Sequence, residues 1–238
     1  MPSASTLPTG SGRLRSLRNP FEYGAEYTLI SGGSFLYSVT EQKQEVPDLM
    51  FARYPVTNKQ YRGFIDYLNG RADDIAVLLP VETYESLLRE VDEFAEYPFA
   101  NRNFASLFES HYDADRRFGA DDQPVIGVTW YAAKAYCIWL SMLSSADDGS
   151  APDRDLLRYR LPDDVEWEWA AGGRREEPGS VHKVKPYPWG DQAPTPELAN
   201  YNQNEGATMP VGSYPYGATP EGLHDMAGKC LGVDGEPV

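Results

Sequence analysis

The chain has 238 residues, with 21 Lys+Arg against 36 Asp+Glu and a formal net charge of −15. That balance excludes nucleic acid or an anionic membrane surface as the main partner, because both reward clustered Lys and Arg. The length suits one large domain or two small ones, and two cysteines, Cys137 and Cys230, exclude a disulfide framework and point to a reducing cytoplasm.

Residues 1–24 read as a flexible tail rich in Ser, Thr, Pro and Gly, with Arg13, Arg15 and Arg18 as its only charges before Glu22. It has no apolar core that would serve as a secretory signal, and nothing in the chain approaches the roughly 20 consecutive apolar residues of a spanning helix. The folded body is expected over 25–238. Tyr27–Ile30, the turn Ser31-Gly-Gly-Ser34 and Phe35–Tyr37 predict a β-hairpin. Thr57 then caps a helix in which Tyr61, Phe64, Ile65 and Leu68 recur at helical spacing.

An acidic helical insertion follows at about 70–122; residues 71–122 hold 13 acidic and 5 basic side chains, a net of −8. Leu87, Leu88, Val91, Phe94 and Ala95 fit one amphipathic face there, and Phe104, Leu107 and Phe108 fit another. The segment is either a solvated addition to the body or an acidic surface for a regulatory partner. Gln123–Thr129 reads as an apolar strand. Thr129 caps a helix from Trp130 to about Leu143, with Trp130, Ala133, Cys137, Leu140 and Leu143 on its buried stripe. Pro162, Asp163, Asp164 and Glu166 suit the first turn of another helix, and Gly172-Gly173 stops it. From Arg174 onward Gly, Pro, Asn and Tyr dominate and periodicity vanishes. The whole is a loop-rich α+β body.

Several short motifs occur in a fixed order. They are Val56-Thr-Asn-Lys-Gln-Tyr61, Pro124-Val-Ile-Gly-Val-Thr-Trp130, Ala133-Lys-Ala-Tyr-Cys137, Tyr159-Arg-Leu-Pro162 and Glu166-Trp-Glu-Trp-Ala-Ala171. Tyr187-Pro-Trp-Gly190, Ala199-Asn-Tyr201, Pro210-Val-Gly-Ser213 and Gly222-Leu-His-Asp-Met-Ala-Gly228 follow. Together they resemble the formylglycine-generating enzyme family, the sulfatase-modifying factors, over roughly residues 27–228. The resemblance implies a C-type-lectin-like fold with much irregular structure, fixed by buried aromatics and calcium. It implies, for active members, oxidation of a sulfatase cysteine to formylglycine on copper(I) held by two cysteines. Relatives include the iron enzyme of ergothioneine synthesis and proteins that keep the fold only as a binding surface.

By this resemblance Asn200 and the carbonyl of Tyr201 belong to one calcium site, and Asp225 with the carbonyl of Gly228 to a second; the same four residues would also serve as plain turn formers. Hard oxygen donors in loops suit calcium. Trp130, Trp167, Trp169 and Trp189 are expected as core and turn anchors. Glu166 and Glu168 stand two apart on a helix, on different faces, and suit capping and ion pairs rather than paired acid–base chemistry. His111, His182 and His224 are expected on exposed loops and lack the clustered spacing of an iron site.

Copper(I) needs two soft thiolates close together. Cys137 reads as core, Cys230 lies outside the family pattern, and neither matches the family's catalytic pair. No catalytic residue and no copper are therefore expected in this chain. The chain departs from the family at Lys229, where Asn-Val-Trp-Glu-Trp is the usual continuation. Lys229–Asp234 can be written AAA TGT TTG GGA GTG GAC, and dropping the first base gives AAT GTT TGG GAG TGG, which encodes that motif. A single-base frame change after Gly228 is expected to have replaced the domain's C-terminal part. Three functions follow: a non-catalytic domain or remnant that binds a protein or peptide, an oxidase whose cysteine pair is lost from this reading frame, or a regulatory protein acting through the acidic insertion.

Overall fold

A computed structural model of the chain describes residues 15–70, 108–148, 158–172, 182–201 and 204–227. The amphipathic face proposed around Leu87–Ala95, together with Phe104, Leu107, Gly228 and Cys230, lies outside the described residues. Five strands come first: β1 (Ser16–Asn19), β2 (Ala25–Ile30), β3 (Gly33–Leu36), β4 (Lys43–Val46) and β5 (Leu49–Ala52). Helices α1 (Asn58–Gly70), α2 (Trp130–Asp148) and α3 (Asp164–Ala171) follow, and β6 (His182–Lys183) is the last strand. Short 3-10 turns occupy Pro20–Glu22 and Pro215–Gly217.

The strands form two three-stranded sheets, ordered β1-β2-β5 and β4-β3-β6. β2 is antiparallel to both neighbours, with Leu17 opposite Tyr27 and Thr28 opposite Phe51. β3 runs antiparallel to β4 and parallel to β6, where Phe35 faces His182. The expected β2–β3 hairpin is therefore corrected. Ser31 and Gly32 carry the chain from one sheet into the other, and β3 turns back on β4 instead. The reason is local: the Gly32 N–H donates to Asp48 Oδ1 at 2.7 Å, which ties the crossing to the β4–β5 connection.

Residues 15–24, expected in the tail, are built into the body. From Arg15 the chain pairs with β2, and Asn19 caps the first 3-10 turn by accepting from the Phe21 N–H at 3.0 Å. Both Asn19 and Glu22 are buried. Low hydrophobicity concealed this segment because its buried members are polar and are held by hydrogen bonds rather than by apolar area.

Helix α1 is capped as expected. The Gln60 N–H donates to Thr57 Oγ1 at 3.4 Å, and the Thr57 N–H donates to Gln60 Oε1 at 2.7 Å, a reciprocal capping pair. Tyr61, Phe64 and Leu68 are buried, with Ile65 packed beside them. Thr129 caps α2 through the Ala132 N–H at 3.1 Å. The buried stripe of α2 differs from the expected one and consists of Ala132, Ala135, Tyr136, Trp139 and Leu140, while Trp130 is 55% exposed. Aromatic rings of the two helices interlock, with Tyr61 stacked on Tyr136 at 5.6 Å and Phe64 against Trp139 at 5.6 Å.

Residues 108–122, expected in the insertion, belong to the body. Phe108 is buried against Phe64, and Tyr61 Oη donates to its carbonyl at 2.7 Å. Arg62 binds Asp113 at 2.9 Å and Asp121 at 2.6 Å. The run Gln123–Thr129 is not a strand; only Pro124 bridges, to Thr57. A second core joins Ile30, Phe35, Val46, Trp169, Ala170 and Leu223 between the β3 sheet and α3. Beyond it, the described residues of 182–227 are held by turns, as the loss of periodicity implied. Among the described residues no helix is long and apolar enough to cross a membrane.

Candidate functional site

Helix α3 places its two glutamates apart, and both work structurally. Glu166 is 6% exposed; it closes a capping box with Asp163 and receives both Arg160 guanidinium arms at 2.6 Å. The Arg160 hydrogen bonds hold its carboxyl below the usual range against the opposing effect of burial. Glu168 points the other way and accepts from the Ser38 N–H at 2.9 Å. Of the expected anchors, Trp169 is buried, with its Nε1 donating to the Ser31 carbonyl at 3.2 Å. Trp189 stacks on Tyr187 at 5.2 Å in a turn. Trp167 and Trp130 stand on the surface and are not core anchors, because their positions on α3 and α2 face away from the packed stripes.

The residues expected at calcium lie in two loops. Asn200 Nδ2 donates to the Ala207 carbonyl at 2.8 Å. The Tyr201 carbonyl accepts from the Asn204 N–H at 3.1 Å, and the Tyr201 N–H donates to Asn204 Oδ1 at 2.9 Å. These bonds close a tight turn. Asp225 takes a left-handed backbone (φ 58°), and its Oδ2 accepts from the Gly212 N–H at 2.7 Å. Gly212 has φ 77° and lies against the Tyr54 ring, so a side chain there would be both strained and obstructed. Burial pushes the Asp225 carboxyl above its usual value, with the Gly212 N–H and His224 opposing.

His224 is not an exposed loop residue. It is 8% exposed, its ring stacks on Tyr54 at 4.8 Å, and its backbone N–H donates to the Arg53 carbonyl at 2.9 Å. Flat apolar faces let imidazole pack like a small aromatic, which a spacing rule does not register. His182 sits in β6 rather than in a loop, and His111 is exposed. Among the described residues, no three His, Cys, Asp or Glu side chains gather in a way that could hold a metal ion.

Cys137 lies beside the buried stripe of α2 and is half-buried. Burial, with the nearby Glu22 charge as a smaller contribution, pushes its thiol up to about 12. A thiol held protonated is a poor nucleophile. A buried polar cluster was missed in the sequence. It centres on Glu22, which accepts from Tyr136, Tyr27 and Asn19. A glutamate in Pro20-Phe-Glu-Tyr-Gly24 carries no mark of burial, and one of its partners stands 114 positions away.

The family described as sulfatase-modifying factor enzyme 1-like domain matches the chain over residues 16–231. A hercynine oxygenase of Mycolicibacterium thermoresistibile is 31% identical over 77% of this chain and 34% of its own length. The hercynine oxygenase of Mycolicibacterium smegmatis is 30% identical over 84% of this chain and 43% of its own length. A serine/threonine-protein kinase pkn1 of Chlamydia caviae is 29% identical over 86% of this chain and 26% of its own length. The chain thus spans between about a quarter and two-fifths of the relatives it matches. With a match that begins at β1 and covers most of the chain, residues 16–231, the chain belongs to the sulfatase-modifying factor family.

Proposed function

We propose that this chain is a non-catalytic form of the family domain, a C-type-lectin-like body that serves in the cytoplasm as a binding module for a protein or peptide. The observation that carries this reading is where Cys137 lies, half-buried on α2 beside the helical core. Copper(I) chemistry of the family type needs two thiolates, and these 238 residues contain two cysteines in all. Burial pushes the thiol of one of them, Cys137, up to about 12. The donor set does not fit copper.

Calcium fits better. Asp225 offers a hard carboxylate in a desolvated loop, a position where a cation would relieve the burial of charge. Asn200 and Tyr201 offer amide and carbonyl oxygens in a turn already closed by hydrogen bonds. When bound, calcium would supply fixed positive charge that stiffens these loops. Asp225 would hold it near Gly212, and Asn200 with Tyr201 would hold it at the 200–207 turn.

A second reading, an oxidase-type role within a longer protein, draws support from the relatives named hercynine oxygenase. The non-catalytic reading is tested by one assay. Purified chain is loaded with copper(I) and incubated aerobically with a cysteine-containing sulfatase peptide, and the peptide mass is followed. The expected result is an unchanged cysteine. Conversion to formylglycine above the enzyme-free control would overturn the non-catalytic reading.

A further inference from the structure

Two carboxylates are buried among the described residues, and their surroundings differ in kind. Glu166, 6% exposed, is neutralised by Arg160. Glu22, 4% exposed, has only neutral donors: Tyr136 Oη on Oε1 at 2.6 Å, and Tyr27 Oη at 2.7 Å and Asn19 Nδ2 at 3.3 Å on Oε2. Arg18 of β1 and Arg53, next to β5, both bind Glu26 instead. A charge buried with hydrogen bonds but without a counter-ion is costly, whereas the neutral acid in the same place is not.

We propose that Glu22 is a proton-operated latch: neutral, it clamps the 16–22 segment onto α2, and its ionisation loosens that segment. The cluster has the connections a latch requires. Asn19 ends β1, Tyr27 belongs to β2, Tyr136 to α2, and Gln60 of α1 donates to the Glu22 carbonyl at 3.3 Å. In the neutral state the carboxyl O–H donates to one phenol oxygen and the other carboxyl oxygen keeps its donors. On ionisation the proton passes to water, and the carboxylate is left to be hydrated. A cavity of about 70 Å³ borders Glu22, Thr57, Gln60 and Tyr54, large enough to admit water. β1 is a four-residue edge strand, paired only with β2, so it is the element that yields first.

The groups facing Glu22 do not compete for the same proton. Tyr27 and Tyr136 are pushed upward, chiefly by burial, and Cys137 up to about 12, so all three stay protonated. Tyr159 meets Tyr27 edge-on at 5.6 Å as a ring contact. Burial raises the Glu22 carboxyl above 4.5, outweighing the three hydrogen bonds that lower it. A value raised by folding means that the latch contributes fully below the unfolded value. Its contribution is lost as pH rises through the folded one.

Hydrogen exchange of the peptide spanning residues 16–27, corrected for intrinsic rates, tests the latch from about pH 5 to about pH 8 in the wild type and in Glu22→Gln. In the wild type, protection of this peptide falls by up to about tenfold per pH unit above the Glu22 value, while the Gln variant is flat. Parallel pH profiles in the two proteins would overturn the proposal, because a merely structural cluster lowers protection equally at every pH. Infrared spectra of the wild type give a readout that needs no variant. A neutral carboxylic acid band must persist after the surface carboxyls have ionised and vanish together with the protection. Its absence sinks the latch.

Discussion

Phe64→Ala lowers the stability of the protein by about 3–5 kcal/mol, the largest effect expected of any single truncation in the helical core. The ring is fully buried and contacts four others: Tyr61 at 5.6 Å, Trp139 at 5.6 Å, Tyr136 at 5.9 Å and Phe108 at 6.0 Å. Three of these contacts come from outside α1, so the loss is tertiary. Removing the ring withdraws apolar area from the core and leaves a void between two helices that are themselves held in place by caps and packing. Aromatic neighbours are rigid and cannot collapse into the gap as aliphatic side chains would. Urea unfolding followed by tryptophan fluorescence gives the value directly, because Trp139 lines the same space. A shift worth less than about 1 kcal/mol would show that the α1–α2 contact is not the principal core.

Gly32→Ala is expected to cost about 3 kcal/mol, at the upper end for an added methyl group. A Cβ at Gly32 would press on the Val46 carbonyl oxygen, the Pro47 carbonyl carbon at 2.6 Å and the Asp48 nitrogen at 2.9 Å. All three are backbone atoms, so no side chain can rotate away. The clash falls where the chain changes sheets, and relieving it separates Gly32 from Asp48 Oδ1. Both sheets feel the change, since Asp48 leads into β5 and Val46 ends β4. Thermal unfolding of the variant measures it, and a melting temperature equal to the wild type would contradict the crossing described above.

These two sites also mark what the sequence makes visible. Phe64 is legible because α1 keeps its apolar residues on one side and has its cap in place, so that spacing alone identifies the buried face. Helix α2 is apolar on nearly every side, from Trp130 through Leu143, and its spacing therefore allows several stripes. Only the facing rings of α1 select Ala132, Tyr136 and Trp139 over Trp130 and Cys137. Gly32 is legible as a turn but not as a crossing, because Ser31-Gly-Gly-Ser34 suits a hairpin equally well until β4 and β5 are placed. Glu22 and His224 were hidden for a different reason. Their burial depends on partners distant in sequence, Tyr136 for one and Tyr54 for the other. Local composition registers neither. The family motifs were visible because they are short and ordered, and the family match spans the residues that carry them, 16–231.

The account depends most on Cys137 being unable to act as a thiolate, and its reactivity is directly measurable. In a Cys230→Ser variant, Cys137 is the only thiol, and its reaction with a disulfide reagent near neutral pH can be timed in the native and unfolded protein. A thiol pushed up to about 12 should react about a thousandfold more slowly than a free one, until denaturant exposes it. Stoichiometric labelling of the native protein at the rate of a free thiol would contradict the account. It would place a reactive sulfur where the structure puts a half-buried one beside the core.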